Sequence, residues 1–337
     1  MRMAAFLLTV LGLAGAVRAE EPAPDAKNVI LFGWDGAQRE HVTQALVRGD
    51  LPTLKGIAKR GAWVEIEIEG TTDTKAGWSQ ILTGYKPAVT GVFSNRKYRP
   101  IPKGLTIFER LPKEYATLAV IGKKGHVDAD APKKVRLDGK VKRGRRAADS
   151  EIIEENGVKW LVTPGKPYFH TRKAMDLFEN GLKRDEVVGR RAIALLQEHR
   201  KRPFFLFVHF AEVDSNGHKH GENSEEYGRA LISNDYWTGR VVNTLKELGL
   251  AKRTLVYVTA DHGFDENLKG HRAAPHVFLA TNDQRVCRGG RRQDVPATIY
   301  DALGIDPKAF DPPLDGTSLA KQLKRPRRKP TRKKTGP

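Results

Sequence analysis

Cysteine is almost absent from this 337-residue chain, in which Cys287 stands alone. An internal disulfide needs two thiols, so the sequence excludes a fold that depends on disulfides. Long apolar runs are also scarce: Ala4–Ala16 is too short to span a bilayer, and no other segment is apolar enough to do so. The sequence therefore predicts no transmembrane segment, and a fold that is stabilised by its core and, as argued below, by metal ions.

Acidic residues are missing from the C-terminal end of the chain. The segment Lys321–Pro337 has nine Lys or Arg residues, three Pro and no acid, in a chain of formal net charge +19. This composition is typical of a disordered tail. A second cluster, Lys133–Arg146, has eight basic residues against Asp138 alone. No aromatic residues lie between these charges, so a stacking platform for single strands is not indicated. We expect non-specific contact with polyanions through the tail and no specific nucleic-acid partner.

The first residues, Met1–Ala19, have the features of a secretory signal. Arg2 supplies positive charge, an apolar run follows it, and Ala19 ends the segment on a small residue. We expect export to the periplasm or the medium after cleavage near Ala19. An uncleaved N-terminal anchor is the alternative.

Four continuous apolar segments alternate with helical patterns along the rest of the chain. Such segments are typical of strands buried in a parallel sheet, and the helices between them cover the sheet. The sequence predicts an α/β fold, a three-layer α/β/α sandwich with a mostly parallel central sheet. We expect one domain at 20–320, with a basic insertion at about 127–180, before the tail at 321–337. The segments are Asn28–Gly33, Thr117–Ile121, Pro203–Phe210 and Thr254–Thr259.

Hydroxyl side chains crowd the segment from Thr71 to Thr74, and a helical pattern follows from Lys75 to a stop at Gly84. A hydroxyl at the start of a helix faces free backbone N–H groups and the positive end of the helix dipole, which favour phosphate or a developing alkoxide. Thr74 is therefore a candidate nucleophile. The alternative is that it only caps the helix.

Asp and His residues follow three of the predicted strands. In open parallel sheets, ligand sites form at the carboxyl ends of the strands. A single Asp at a strand end is often a turn residue, but three strand ends repeat the pattern here. These side chains suit Zn or a similar divalent ion, and two ions would fit their number. They are Asp35 after the first strand, Asp214 with His218, and Asp261 with His262.

These features, in this order, resemble the alkaline phosphatase superfamily. The nearest kin are the nucleotide pyrophosphatase/phosphodiesterase branch and the Thr-nucleophile alkaline phosphatases, a group often labelled sulfatase-like. The segments Asp294–Gly304 and Leu314–Leu319 extend the resemblance over almost the whole mature chain. Its motifs are Asp35, Thr74 nine residues before a Thr-Gly, the Asp-x-x-x-His at 214–218 and the Asp-His-Gly at 261–263.

The resemblance implies two bound divalent ions, with Zn favoured, and assigns their ligands. Either His271 or His276 could be the last ligand of the second ion. His271 is preferred, because it is followed four residues later by Pro, a pattern similar to that of related mutases. His276, in contrast, lies in an apolar strand. The implied ligands are Asp35, Thr74, Asp261 and His262 for one ion, and Asp214, His218 and His271 for the other.

The implied activity is hydrolysis of phosphoric esters, on a small molecule or a polymer, by an exported enzyme. Thr74 would attack phosphorus to form a phospho-threonine, and Asn95, twenty-one residues later, would contact a phosphoryl oxygen. Lys123 and Lys124 would bind the remaining charge, and monoesters are slightly preferred over diesters because a monoester carries the extra charge.

The chain departs from the family pattern in two places. The diesterase branch often has an aromatic residue, Pro and Asn after the nucleophile, where this chain has Lys75-Ala76-Gly77. Sulfatases of the superfamily need a Cys-x-Pro-x-Arg pattern that this chain lacks. Two alternatives remain open: a sulfatase-like hydrolase of sulfate esters, and a secreted polyanion-binding protein without catalytic activity.

Overall fold

The computed structural model describes residues 27–137, 149–274 and 276–321. The predicted signal segment, the tail after Lys321 and part of the basic cluster Lys133–Arg146 lie outside these ranges. The predictions for those segments stay predictions. Within the described residues, no helix combines the length and apolar character needed to cross a membrane.

The described residues contain eleven strands, numbered in chain order. They are β1 (Asn28–Trp34), β2 (Ala62–Glu67), β3 (Ala116–Ile121), β4 (Lys133–Arg136), β5 (Glu151–Glu155), β6 (Val158–Thr163), β7 (Leu177–Asn180), β8 (Phe204–Phe210), β9 (Thr254–Thr259), β10 (His276–Thr281) and β11 (Gly290–Arg291).

Ten α-helices lie between and after these strands, together with two short 3₁₀ helices, Ala251–Arg253 and Pro307–Ala309. The α-helices are α1 (Arg39–Arg48), α2 (Pro52–Arg60), α3 (Thr74–Thr83), α4 (Pro87–Thr90), α5 (Ile107–Arg110), α6 (Phe169–Arg172), α7 (Asp185–His199), α8 (Glu212–His220), α9 (Glu225–Glu247) and α10 (Asp294–Ala302) in the described residues.

Eight strands form one sheet, in the order β11-β2-β10-β9-β1-β8-β3-β7. The five strands from β9 to β7 in this order run parallel, whereas β10 pairs antiparallel with both β9 and β2. Strands β1, β3, β8 and β9 are buried at every position, because their unbroken apolar sequences face helices on both sides. The predicted α/β sandwich with a mostly parallel sheet is confirmed.

The basic insertion forms a small sheet of its own. Strands β4, β5 and β6 pair antiparallel in the order β4-β6-β5. The stretch expected to be an insertion, at about 127–180, also contains β7, which pairs with β3 at the edge of the main sheet. The chain between β3 and β7 thus leaves the main sheet and comes back to it.

The parallel strands bring their carboxyl ends to one edge of the main sheet. Asp35 follows β1, Asp261 lies two residues after β9, and Lys123 lies two residues after β3. Strand β8 leads through Ala211 into α8, which carries Asp214. Residues that are far apart in the sequence therefore converge at this edge.

Helix α3 packs against the same edge through a close contact with β1. A Cβ atom at Gly33 would lie 2.4 Å from the ring of Trp78, so only glycine leaves room for this indole. The helix begins at Thr74, with Asp73 as its N-cap, and ends before Gly84, which has a left-handed backbone. Thr74 is buried and faces the carboxyl ends of the strands.

Candidate metal centre and nucleophile

Asp35 is held by three hydrogen bonds on one of its two oxygens. Oδ2 accepts from Nδ1 of His126 at 2.7 Å, from Nε2 of His209 at 2.8 Å and from Nε1 of Trp78 at 2.8 Å. Burial disfavours the charged carboxylate, but the two histidines outweigh it and hold the pKa of Asp35 well below its ordinary value. The second oxygen, Oδ1, is left free to bind another group.

Three buried carboxylate oxygens surround Nε2 of His262. Oδ1 of Asp35 lies 3.6 Å from this nitrogen, Oδ1 of Asp214 lies 3.8 Å from it, and Oδ2 of Asp261 lies 3.5 Å from it. Oδ1 of Asp35 and Oδ2 of Asp261 have no hydrogen-bond partner among the described residues, whereas Oδ1 of Asp214 lies 3.2 Å from Nε2 of His218. Nδ1 of His262 donates to the carbonyl of Gly263 at 2.9 Å, which leaves the Nε2 lone pair facing the oxygens.

Three carboxylates crowd this buried group. Burial, followed by the charges of Asp35 and Asp214, raises the pKa of Asp261 well above its ordinary value. Burial also lowers the pKa of His262 to about 4, so its imidazole is neutral near pH 7. Buried carboxylates without partners are costly unless they bind a cation, and three carboxylates with one imidazole suit Zn or a similar divalent ion. The residues present therefore fit the metal that the sequence implied.

A second group of candidate ligands lies beside the first. Nε2 of His218 lies 3.2 Å from Oδ1 of Asp214, one helical turn away on α8. The rings of His218 and His271 are 5.0 Å apart, and His271 stacks on His262 at 3.8 Å. Ligand atoms of Asp214, His262 and His271 all lie within 4.8 Å of one another.

His276, the alternative last ligand, points elsewhere. It begins β10, and its Nδ1 lies 2.6 Å from Oε2 of Glu67 on the neighbouring strand. The structure brings His271 to the cluster and pairs His276 with Glu67. This favours His271 as the last ligand.

Thr74 lies at the side of this centre. Its Oγ1 is 3.2 Å from Nε2 of His262. Asn95 holds the helix start, because its Oδ1 accepts from the N–H of Lys75 at 3.0 Å and its own N–H donates to Oδ2 of Asp73 at 3.0 Å. An anion beside Thr74 would therefore meet the N-terminus of a fixed helix.

The two candidate lysines differ in position. Nζ of Lys123 lies 2.9 Å from Oδ2 of Asp214, at the centre. Nζ of Lys124 instead pairs with Asp130 at 3.0 Å, and its side chain is 60% exposed. Of these two predicted residues, the structure brings Lys123 alone to the cluster.

Three residues of the centre were missed from the sequence. His126 and His209 bind Asp35, although His209 lies inside the most apolar strand and resembles a core residue there. Arg292 is fully buried and donates to the carbonyl oxygens of Asp261 and Thr71, each at 2.8 Å. Burial lowers the pKa of Arg292 to about 10, which leaves it charged at neutral pH. A polar residue within a fully buried strand is the signal that could have revealed His209.

The sheet order and the helices that cover it form a fold of the alkaline phosphatase type. A solved structure of a superfamily protein from Vibrio parahaemolyticus shares the fold with a TM-score of 0.56 and 17% identity, covering 88% of this chain and 70% of that chain. Together with the family match given next, this likeness confirms the superfamily predicted from the sequence.

The chain belongs to the type I phosphodiesterase / nucleotide pyrophosphatase family, whose model matches residues 29–314. This membership supports the predicted enzyme class, a metal-dependent phosphoric ester hydrolase. Ectonucleotide pyrophosphatase/phosphodiesterase family member 1 of Mus musculus is 33% identical over 281 residues, which cover 80% of this chain and 28% of the relative. Steryl-sulfatase of Mus musculus is 42% identical over 81 residues, 21% of this chain and 12% of the relative. The chain thus spans less than a third of the length of these relatives.

Proposed function

We propose that the chain is an exported hydrolase of phosphoric esters that uses two divalent ions and Thr74 as its nucleophile. One observation carries the proposal: three buried carboxylate oxygens, two of them without a hydrogen-bond partner among the described residues, face Nε2 of His262, and Oγ1 of Thr74 lies 3.2 Å from the same nitrogen. A cation at this point would balance the carboxylates and lie beside the hydroxyl.

The metal ligands follow from the two groups of side chains. When bound, the ions, with Zn favoured, would lower the pKa of the Thr74 hydroxyl and neutralise charge on the phosphoryl group. His126, His209 and Trp78 would orient Asp35 by holding its other oxygen. The proposed ligands are Asp35, Thr74, Asp261 and His262 for one ion, and Asp214, His218 and His271 for the other.

The reaction would proceed in two displacements. Oγ1 of Thr74 gives up its proton and attacks phosphorus, the bond from phosphorus to the leaving oxygen breaks, and a proton equivalent to the one lost by Thr74 is taken up by that oxygen. Water then attacks the phospho-threonine and releases phosphate and the free hydroxyl. Asn95, Lys123 and the N-terminus of α3 would bind the phosphoryl oxygens, where charge accumulates.

Monoesters are the preferred substrates in this proposal, with diesters next. The ammonium group of Lys123, 2.9 Å from Asp214, supports binding of a phosphate dianion. The family model favours a diester, and Lys75 stands where the diesterase branch often has an aromatic residue. A sulfate ester is a further candidate, favoured by the similarity of 81 residues to a steryl-sulfatase.

The test is an assay of the purified, Zn-loaded protein on three matched substrates. An aryl phosphate, an aryl phosphodiester and an aryl sulfate with the same leaving group are compared by kcat/KM. We expect the phosphate to be hydrolysed fastest, followed by the diester. A diester as best substrate would overturn the monoester preference alone, and sulfate as best substrate would overturn the proposed reaction class.

Export is proposed from the sequence of Met1–Ala19. Expression of the full chain and N-terminal sequencing of the product test this proposal. We expect the exported protein to begin at Glu20, and a product that keeps Met1 and stays in the membrane fraction would support the uncleaved anchor.

A further inference from the structure

A second set of metal-ligating side chains lies apart from the proposed catalytic centre. His41 is on α1, Glu222 lies between α8 and α9, and Glu266 lies in the connection from β9 to β10. One ligand atom from each lies within 4.8 Å of the other two. A point no more than about 2.8 Å from all three therefore exists, close to the bond lengths of about 2.0–2.6 Å that divalent cations make with N and O ligands.

Glu222 is a buried carboxylate without a basic partner. It is 2% exposed, and its Oε1 accepts hydrogen bonds from Nδ2 of Asn223 and from the N–H of Asn267. In residues 27–137, 149–274 and 276–321, no Lys or Arg side chain forms an ion pair with Glu222 or Glu266. A buried carboxylate is stabilised by hydrogen bonds together with an opposite charge, so a cation would suit Glu222 as its charged partner.

His41 supplies a nitrogen that is ready to bind. Its Nε2 is buried and has no hydrogen-bond partner in the described part of the chain, while its ring packs edge-on against Tyr227 at 5.5 Å. No hydrogen bond joins His41 to Glu222 or Glu266, although both carboxylates are close enough to affect its charge. Burial lowers the pKa of His41, which keeps the imidazole neutral and its lone pair available.

A cavity lies beside this cluster. It has a volume of about 260 Å³ and shares Glu266 with the cluster. Two more carboxylates in its lining, Glu40 and Asp265, make it attractive to cations.

The cluster joins segments that carry candidate catalytic ligands. Glu222 follows α8, which carries Asp214 and His218, and Glu266 belongs to the same loop as His271. This loop already docks on α8, because Nδ1 of His218 donates to the carbonyl of Lys269 at 2.8 Å. A cation bound between α1, the end of α8 and this loop would hold the loop in place.

We propose that His41, Glu222 and Glu266 bind a divalent cation of the Mn²⁺ or Zn²⁺ type, separate from the catalytic ions, which holds the loop 264–274 against α8. Mixed carboxylate and imidazole ligands suit these ions, with water completing the coordination.

The test uses a protein whose proposed catalytic centre has been disabled, the double variant Asp35→Asn with Asp214→Asn. After chelation, it is dialysed against Mn²⁺ and separately against Zn²⁺, and bound metal is counted by mass spectrometry. We expect about one equivalent per chain, a rise in Tm on metal binding, and slower hydrogen exchange in the loop 264–274. Binding of neither metal would overturn the proposal.

Adding Glu266→Gln to this protein should remove the bound equivalent and the rise in Tm, because Glu266 is exposed and its replacement leaves the core intact. Adding Glu222→Gln should do the same while keeping an oxygen that can accept from Asn267. The matched control, Glu226→Gln on α9, removes a nearby negative charge that lies outside the cluster and should keep the equivalent. Equal metal binding by the Glu266→Gln protein and this control would overturn the proposed site.

Discussion

Thr74 is the residue whose replacement tests the proposed chemistry most directly. Its Oγ1 lies 3.2 Å from Nε2 of His262, yet six other side chains would remain to bind the two ions. Thr74→Ala should lower kcat by about three powers of ten or more while keeping both metals, because the nucleophile alone is removed. The measurement is kcat on an aryl phosphate, with metal content determined on the same sample.

Thr74→Ser is the matched variant, because it keeps a hydroxyl at the helix start. We expect it to retain part of the activity and to form a phospho-serine detectable by mass spectrometry after acid quenching. Full activity in Thr74→Ala would show that another group attacks phosphorus.

Lys123 and Lys124 form a natural pair of test and control. Lys123 lies beside Asp214 at the centre, whereas Lys124 pairs with Asp130 at the surface. Lys123→Met should lower kcat/KM for the aryl phosphate by about 10-fold to 100-fold, the effect of losing one charge-assisted hydrogen bond. The loss should be smaller for a diester, which carries one charge less.

Lys124→Met should change kcat/KM by less than about twofold on either substrate, since an exposed ion pair contributes little. Equal losses in the two variants would contradict the assignment of Lys123 to the centre.

The sequence predicted the candidate site best where chemistry and topology coincide. Asp35, Asp214 and Asp261 were found because each follows a buried strand, and parallel strands end at one edge. His126 and His209 were missed, because a lone His in an apolar strand does not reveal which carboxylate it faces. The neighbouring lysines Lys123 and Lys124 could not be separated, since the sequence does not fix the direction of side chains in a loop.

At the scale of elements, α8 and the loop after β9 meet at Gly217. A Cβ atom there would lie 2.4 Å from the ring of Phe264, which packs against His218 and His271. Gly217→Ala should push this ring away, displace the two histidines and weaken binding of the second ion. We expect about a tenfold or greater loss of metal affinity in competition with a chromogenic chelator.

Gly228→Ala provides the control in the neighbouring helix α9, where an added Cβ atom meets nothing within 4 Å. It should raise the free energy of unfolding by about 0.5–1 kcal/mol, since alanine restricts the unfolded chain more than glycine does. Its metal affinity should equal that of the natural protein. Unchanged affinity in Gly217→Ala as well would contradict the proposed role of this contact.

A buried carboxyl group at the start of α7 should make the stability of the protein depend on pH, without involving the metal ligands directly. Asp185 is fully buried, and its Oδ1 accepts from the N–H of Ala211 at 2.9 Å. Burial, followed by the charge of Glu212, raises the pKa of Asp185 well above its ordinary value of 3.8. Its contribution to stability is therefore fully present below pH 3.8 and is lost as the pH rises through the folded-state pKa.

Asp185→Asn is neutral at every pH and keeps an oxygen to accept from Ala211. The variant should gain stability relative to the natural protein as the pH rises, and this advantage should vanish near pH 4. Thermal unfolding of both proteins between pH 4 and pH 9 measures the difference. Curves that stay parallel over this range would contradict a raised pKa at Asp185.

At the scale of the whole molecule, unbroken apolar runs predicted the parallel strands because both faces of each strand are covered. The antiparallel placement of β10 could not be predicted, since a buried antiparallel strand has the same apolar sequence. The edge strands β7 and β11 were missed because they are short and only partly buried. Sequence pattern thus identified the centre of the sheet, where burial dictates composition, and failed at its edges.

The basic tail separates a catalytic protein from a polyanion binder. Deleting 322–337 removes eight basic residues and keeps Lys321, whose N–H donates to the carbonyl of Arg285 at 2.8 Å. The truncated protein should hydrolyse a small aryl phosphate at the natural rate, because the candidate centre lies on the strand ends. The truncated protein should elute from a heparin column at lower salt. With eight basic side chains fewer, its binding displaces fewer counterions from the polyanion. A full-length protein that binds heparin but contains no metal and hydrolyses no ester would instead favour the non-catalytic alternative, with the tail as the functional part.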